Sequence, residues 1–344
     1  MVQKIKAIGF DTSGDINVLK NIQIDNPSPK PQDVKVRVIA VSVNPVDVKL
    51  REGAFGDPKN PPMVLGYDAS GVVEAVGDKV QRFKVGDQVM FSGTHVRQGS
   101  NAEFIIVDER LVGRKPEAMS HTETAALPLV GLTAWEALTE KMGMPESDTP
   151  VDKTLLIING AGGVGSFASQ LARHVFGLKT VISTASRPET IEWCKSQGAT
   201  HTINHRKPLK EQIDALGVTV DYALICYDPV QYLAELCEIV RPFGQIVSIV
   251  ETKADIPLQG GFLKAISFHW EFMFARPMFD IDLLSQGLAL DKIAQFVDSG
   301  KIKRLDTKVY DNLTLANLKA AHEILESGKA VGKIVLEVGK NSWQ

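Results

Sequence analysis

The 344-residue chain has little of what marks the specialised classes of protein. It carries three cysteines, Cys194, Cys226 and Cys237. Their number is odd and their spacing repeats nothing, which excludes a disulfide framework and points to a reducing, cytoplasmic setting. No uninterrupted apolar run reaches the roughly 20 residues of a membrane span. The opening Met1-Val2-Gln3-Lys4-Ile5-Lys6 has neither the apolar stretch nor the cleavage site of a secretion signal. Neither sign of charge prevails: 38 Lys and Arg stand against 41 Asp and Glu, so nothing electrostatic calls for nucleic acid or an anionic membrane as partner. Internal repeats and low-complexity segments are missing too.

What is present is ordinary for a globular protein, with 44% apolar and 23% charged residues. The length exceeds the roughly 250–300 residues at which single cores stop growing, so two domains are expected. Residues 1–126 read as β-rich. Val34-Lys35-Val36-Arg37-Val38 alternates with period two, and short strand-like runs follow at Ala69 to Val76, Gln88 to Phe91 and Glu103 to Val107. Turn residues at Asn44-Pro45, Asn60-Pro61-Pro62, Gly77-Asp78 and Gly86-Asp87 separate them, the pattern of a barrel or sandwich. Residues 127–270 change rhythm. Apolar strands at Thr154–Ile158, Thr180–Ser183, Asp221–Cys226 and Gln245–Val250 alternate with helices at Val164–Phe176, Pro188–Gln197, Leu209–Leu216 and Pro229–Val240. That order predicts a doubly wound parallel sheet, an α/β Rossmann domain. Residues 271–344 are too few for a third domain and are expected to rejoin the first.

Gly160-Ala161-Gly162-Gly163-Val164-Gly165 directly follows a predicted strand and opens a predicted helix. In that context G-x-G-x-x-G is a dinucleotide fingerprint. The first glycine permits the tight turn, the second lets the backbone approach a pyrophosphate, and the third lets helix and strand pack closely. Amides at the helix N-terminus then face the phosphates. A purely structural turn, or one that holds S-adenosylmethionine, competes with this reading. The stretch after the second strand, Ser183-Thr184-Ala185-Ser186-Arg187, lacks the acid that would hold a free ribose 2′-OH. Ser186 and Arg187 suit a 2′-phosphate instead, because a guanidinium matches phosphate geometry. The expected cofactor is NADPH.

The whole chain resembles the medium-chain dehydrogenase/reductase superfamily. The resemblance is carried by Asn44-Pro45-Val46-Asp47, Leu65-Gly66-Tyr67-Asp68-Ala69-Ser70-Gly71, Val85-Gly86-Asp87-Gln88-Val89, Gly99-Ser100-Asn101-Ala102-Glu103-Phe104 and Gly131-Leu132-Thr133-Ala134-Trp135. It is strongest with the quinone oxidoreductase-like branch, often labelled zinc-type alcohol dehydrogenase-like. It implies a GroES-like barrel for residues 1–126, rejoined by residues 271–344. Zinc-dependent members carry a Cys in the loop matched by Asn44 to Asp47 and a His where this chain has Tyr67. The structural zinc lobe is lacking as well, since no Cys precedes Cys194. Zinc needs about three or four ligands. Asp47, Asp68, His95 and His121 are the remaining donors that could assemble one, and no metal is expected.

Without a Lewis acid, the reaction favours acceptors that take a hydride readily: quinones, or alkenes conjugated to a carbonyl. The resemblance places Asn44 beside the nicotinamide ribose and Thr133 near the cofactor, with Lys333 reaching it as well. Cys226-Tyr227 and Ser248-Ile249-Val250 end parallel strands and should line the nicotinamide side. Tyr67 should face the cleft, either as a donor to a reduced oxygen or as an aromatic wall. Asp47 is a candidate base or a brace for its loop. The aromatic segment Phe268 to Phe279, with Phe274 and Arg276, reads as an acceptor pocket, a dimer interface, or both. A homodimer is expected from the resemblance. Two other functions stay open: a zinc-dependent alcohol or aldehyde dehydrogenase, and a non-catalytic NADPH-binding sensor.

Overall fold

The computed structural model describes residues 3–54 and 56–343. The chain divides into two compact units. One holds the described residues up to Leu129, Phe274–Asp298 and those from Arg304 onward; the other holds Val130–Met273 and Ser299–Lys303.

The first unit opens with β1 (Lys4–Phe10), β2 (Lys20–Asp25) and β3 (Asp33–Val43), followed by α1 (Pro45–Arg51), β4 (Met63–Val64), β5 (Ala69–Val76), β6 (Gln88–Phe91), β7 (Phe104–Asp108), β8 (Val112–Arg114) and α2 (His121–Thr124). β1 pairs antiparallel with β2 and β4. The alternation seen at Val34, Val36 and Val38 points these side chains inward. From Val41 to Val43 both faces of β3 are buried, so the strand delivers Asn44 into the interior.

After α3 (Pro128–Glu136) the second unit alternates strand and helix as far as its fifth strand: β9 (Val151–Ile158), α4 (Gly163–Gln170), β10 (Leu178–Thr184), α5 (Pro188–Ser196), β11 (His201–Ile203), α6 (Leu209–Leu216), β12 (Val220–Ile225), α7 (Pro229–Ile239), β13 (Val240–Ser248) and then β14 (Ser267–Trp270). All its strands run parallel in the order β11-β10-β9-β12-β13-β14. Counted within this sheet the order is 3-2-1-4-5-6, the dinucleotide-binding order. Its core packs Leu156, Ile158, Ile182, Ala223, Ile225 and Ile246 from the sheet against Ile213, Leu233 and Leu236 from the helices. Each large apolar side chain so buried contributes about 1.5–3 kcal/mol. The predicted helix Val164–Phe176 changes character midway, since α4 gives way to a π-helical turn at Leu171–Val175.

The chain then returns with α8 (Ala275–Phe279), α9 (Leu283–Asp298), β15 (Asp306–Tyr310), α10 (Leu315–Glu326) and β16 (Lys333–Glu337). β16 pairs antiparallel with β3, completing the order β15-β16-β3-β5-β6-β8 with β7 on β3. The family's GroES-like domain and Rossmann-type parallel sheet are both in place. Among the described residues no helix is long and apolar enough to cross a membrane.

α1 and α10 are joined by a buried charge. The Arg51 side chain donates to Glu326, Glu52 and the Gly14 carbonyl. It also lies 3.5 Å from Nδ1 of His322, a fully buried ring. Burial, then the Arg51 charge, pushes His322 down to about 3. The unfolded chain takes up a proton on this ring near pH 6.5 while the fold refuses it until about 3, so stability falls as pH drops through that window. His322→Asn should remove this slope, about 1.4 kcal/mol per pH unit. Urea unfolding at pH 6.5 and 5.0 checks it: wild type loses more stability than the variant.

Candidate active site

In the first unit, Asn44 ends β3 and caps α1. Pro45 follows at the first helical position, where a missing N–H costs nothing. Asp47 turns back over the loop: Oδ2 accepts from the Asn44 amide at 2.8 Å and Oδ1 from the Gly66 amide at 3.0 Å. Gly66 has φ of 108°, and a Cβ there would lie 2.6 Å from Ser100 Oγ, so only glycine fits. Burial pushes the Asp47 carboxyl up to about 7, against the pull of the two amides and of Lys333. Both oxygens of this candidate base are thus turned to backbone amides, the arrangement of a brace.

Tyr67 is 1% exposed. Its ring meets Phe274 edge-on at 5.6 Å, and Phe274 meets His95 at 5.1 Å. Among the described residues the phenol oxygen has no hydrogen-bond partner. That is uncommon for a buried hydroxyl and costs about 1–3 kcal/mol. Burial, then the Asp47 charge, raises the phenol above its ordinary pKa, so it keeps its proton and remains a donor.

The neighbouring Asp68 is saturated. Its Oδ2 accepts from Ser42 Oγ at 2.9 Å, Asn44 Nδ2 at 2.8 Å and Lys333 Nζ at 3.0 Å, and Oδ1 accepts from the Leu129 amide at 2.7 Å. Lys333, at the head of β16, also donates to the Val43 carbonyl at 3.0 Å and to Asn44 Oδ1 at 2.5 Å. Its three protons thus have three acceptors within its own unit. Sequence reasoning missed the network. Its only trace was a lysine opening an otherwise apolar strand.

These donors do not suit a metal. Asp47 and Asp68 have their oxygens committed, and a protonated phenol is no zinc ligand. His121 turns Nδ1 to Ser70 Oγ at 2.8 Å. Among the described residues no group of three or more His, Cys, Asp or Glu stands where it could hold a metal ion.

In the second unit, the glycine turn joins β9 to α4. A Cβ on Gly160 would lie 2.4 Å from Ser183 Cβ, and one on Gly165 would lie 2.5 Å from the Asn159 carbonyl oxygen. Both glycines serve close packing. A Cβ on Gly162 would meet nothing nearer than Asn159 Nδ2 at 3.2 Å. Gly162 caps α4 without a side chain, so Gly163, Val164 and Gly165 follow with no capping oxygen over the first turn. The residues fit a pyrophosphate. Ile158, Ile225 and Ser248 lie side by side in register, which brings the turn, Cys226-Tyr227 and Ser248-Ile249-Val250 to one edge of the sheet. Burial raises the Cys226 thiol, and Ser248 Oγ donates to the Val250 carbonyl at 3.0 Å. Beyond β10, Arg187 pairs with Glu189 at 2.5 Å, a carboxylate 61% exposed; Ser186 precedes it. Thr133 is buried in α3.

The aromatic segment is divided. Phe268 and Trp270 lie on β14 of the second unit, whereas Phe274 and Arg276 belong to the first. Arg276 pairs with Asp282 at 2.7 Å. Glu271, between them, is buried, and burial with the neighbouring Glu136 pushes it up to about 9.

With this geometry in view, comparison with known proteins is decisive on family. Residues 30–117 match the alcohol dehydrogenase GroES-like domain and residues 197–336 the zinc-binding dehydrogenase family. A zinc-type alcohol dehydrogenase-like protein of Staphylococcus aureus is 39% identical, covering 97% of this chain and all of the relative. The NADPH-dependent alkenal/one oxidoreductase of Arabidopsis thaliana chloroplasts is 32% identical over 97% of this chain and 80% of its own. A solved structure assigned to the zinc-dependent alcohol dehydrogenases, from Rhizobium etli, superposes with a TM-score of 0.92 at 41% identity, covering 98% of this chain and 99% of that one. The chain belongs to the medium-chain dehydrogenase/reductase superfamily, in its quinone oxidoreductase-like branch. It is an oxidoreductase.

Removing the unpartnered phenol oxygen should relieve the fold. Tyr67→Phe is expected to gain about 1 kcal/mol of stability, seen as a higher Tm in thermal melts; a lower Tm contradicts an unsatisfied hydroxyl.

Proposed function

We propose that this chain transfers hydride from NADPH to quinones or α,β-unsaturated carbonyl compounds without a metal. The observation that carries the reading is the Tyr67 hydroxyl, buried, protonated and without a partner among the described residues. A donor left unsatisfied at a stability cost supports a role toward a partner from outside the chain. A carbonyl oxygen that gains negative charge as hydride arrives is such an acceptor, and a fixed donor in a dry site stabilises that charge. Phe274, edge-on to the Tyr67 ring and itself against His95, favours a flat apolar acceptor, with Arg276 nearby in sequence. NADPH supplies the hydride; the accompanying proton comes from water or through Tyr67. The alkenal/one oxidoreductase among the relatives supports the acceptor class and the cofactor.

The glycine turn takes the pyrophosphate, and Ser186 and Arg187 take the 2′-phosphate. Thr133, Cys226, Tyr227, Ser248, Ile249 and Val250 line the cofactor, and Asn44 meets its nicotinamide ribose. Asp47 braces the two segments that carry Asn44 and Tyr67, through the amides of Asn44 and Gly66. The Arg187–Glu189 pair is exposed enough for phosphate to displace Glu189.

The second sheet supports a homodimer as the proposed quaternary state. β14 is its edge strand, and the segment before it exposes Leu258, Phe262 and Leu263, the last at 95%. An open edge beside exposed apolar residues is normally covered. A second copy of the chain is the proposed cover. Leu263→Asp should then shift sedimentation toward the monomer; a wild type that sediments as a monomer contradicts the dimer.

Two measurements test the chemistry. Tyr67→Phe should slow NADPH-driven reduction of a quinone or enone by ~10-fold or more while remaining folded; unchanged turnover removes Tyr67 from the reaction. Arg187→Ala should weaken NADPH by ~1.5–3 kcal/mol and leave NADH little changed. Equal losses for both cofactors would show that Arg187 does not hold the 2′-phosphate.

A further inference from the structure

We propose that Lys333 and Asp68 are positioning residues that hold the side-chain amide of Asn44 in one orientation for hydride transfer. The inference rests on the reading that Asn44 meets the nicotinamide end of the cofactor.

The two ends of an asparagine amide are nearly equal in shape, so packing alone does not choose between them. Here charge chooses. Lys333 can only donate, and it faces Asn44 Oδ1 at 2.5 Å. Asp68, as a carboxylate, can only accept, and it faces Asn44 Nδ2 at 2.8 Å. Turning the amide over would set N–H groups against an ammonium and a carbonyl against a carboxylate. Two attractive contacts would become two repulsive ones in a region where all three side chains are 0–3% exposed and screening is weak.

The pair is itself held. Lys333 is tied to the Val43 carbonyl, one residue before Asn44. Asp68 is tied to Ser42 Oγ and the Leu129 amide. One Nδ2 proton of Asn44 is spent on Asp68, so the direction of the second is determined by the same contacts. Asp47 is the other charged group acting on this pair, attracting Lys333 and opposing Asp68. Its oxygens are occupied by the Asn44 and Gly66 amides, so it fixes the backbone of Asn44 while Lys333 and Asp68 fix its amide. A donor fixed in this way costs no reorganisation as reactants are brought into line.

A double-mutant cycle tests this. Wild type, Asn44→Ala, Lys333→Met and the double variant are compared in single-turnover oxidation of NADPH by 1,4-naphthoquinone, with NADPH and with NADPH deuterated at C4. Asn44→Ala and Lys333→Met should each slow transfer by ~10-fold or more, and the double variant should be no slower than the slower single one. The isotope effect should persist or rise, a signature that general loosening of the fold would not give. Ser42→Ala, which removes one contact to Asp68, is the milder substitute should Lys333→Met fail to fold. Its ~2–5-fold slowing should vanish in the Asn44→Ala background. If Lys333→Met or Ser42→Ala slows the Asn44→Ala protein by the same factor as wild type, the positioning role is overturned while the reading of Asn44 stands. If Asn44→Ala leaves transfer unchanged, the reading beneath it falls.

Discussion

A single buried carboxylate, that of Asp68, ties together parts of the chain that are far apart in sequence. It gathers Ser42 and Asn44 from the end of β3, Leu129 from the start of α3 and Lys333 from the head of β16. A charge taken out of water is costly unless its lone pairs are filled, and removing one member of such a pair typically costs about 3–5 kcal/mol. Replacing a buried ion pair by well-packed apolar residues, in contrast, is often neutral. Stability alone therefore does not explain a lysine and an aspartate here. What apolar residues could not provide is a fixed direction for the Asn44 amide.

The contrast with the preceding residue sharpens the point. Among the described residues Asp68 has four donors and the Tyr67 hydroxyl has no partner, although they are neighbours in sequence and both are buried. Saturation at one position and a deficit at the next do not follow from packing, which affects both alike. A site departs from full satisfaction where something else completes it, and the local rule broken without compensation is the one to read for function.

Much of the fold was legible because each element announces itself locally. α5 begins at Pro188 and stops before Gly198; α6 ends at Gly217 in the left-handed conformation. The parallel strands are short continuous apolar runs, as burial on both faces demands. The glycine turn was legible for the same reason. α1 was not, because Asn44-Pro45 reads as a turn and only the return of the Asp47 carboxylate shows that a helix begins there. β14 was hidden in an aromatic stretch whose halves belong to different units. The partners of Lys333 were not legible, because they lie almost 300 residues away and no local pattern records them.

The electrostatics of the first unit also constrain the proposed reaction. Lys333 and Asp68 offset each other, and Arg51 is balanced by Glu52 and Glu326. The charge left to vary beside the Tyr67 phenol is that of Asp47, whose carboxyl is pushed up to about 7. Ionised, Asp47 raises the phenol further and opposes negative charge on an oxygen that the phenol would meet. Protonated, it opposes neither. A site that relies on a neutral donor in place of a metal is served best when the nearest carboxyl is also neutral. The burial that raises Asp47 and the burial that strands the Tyr67 hydroxyl are thus one physical cause acting twice.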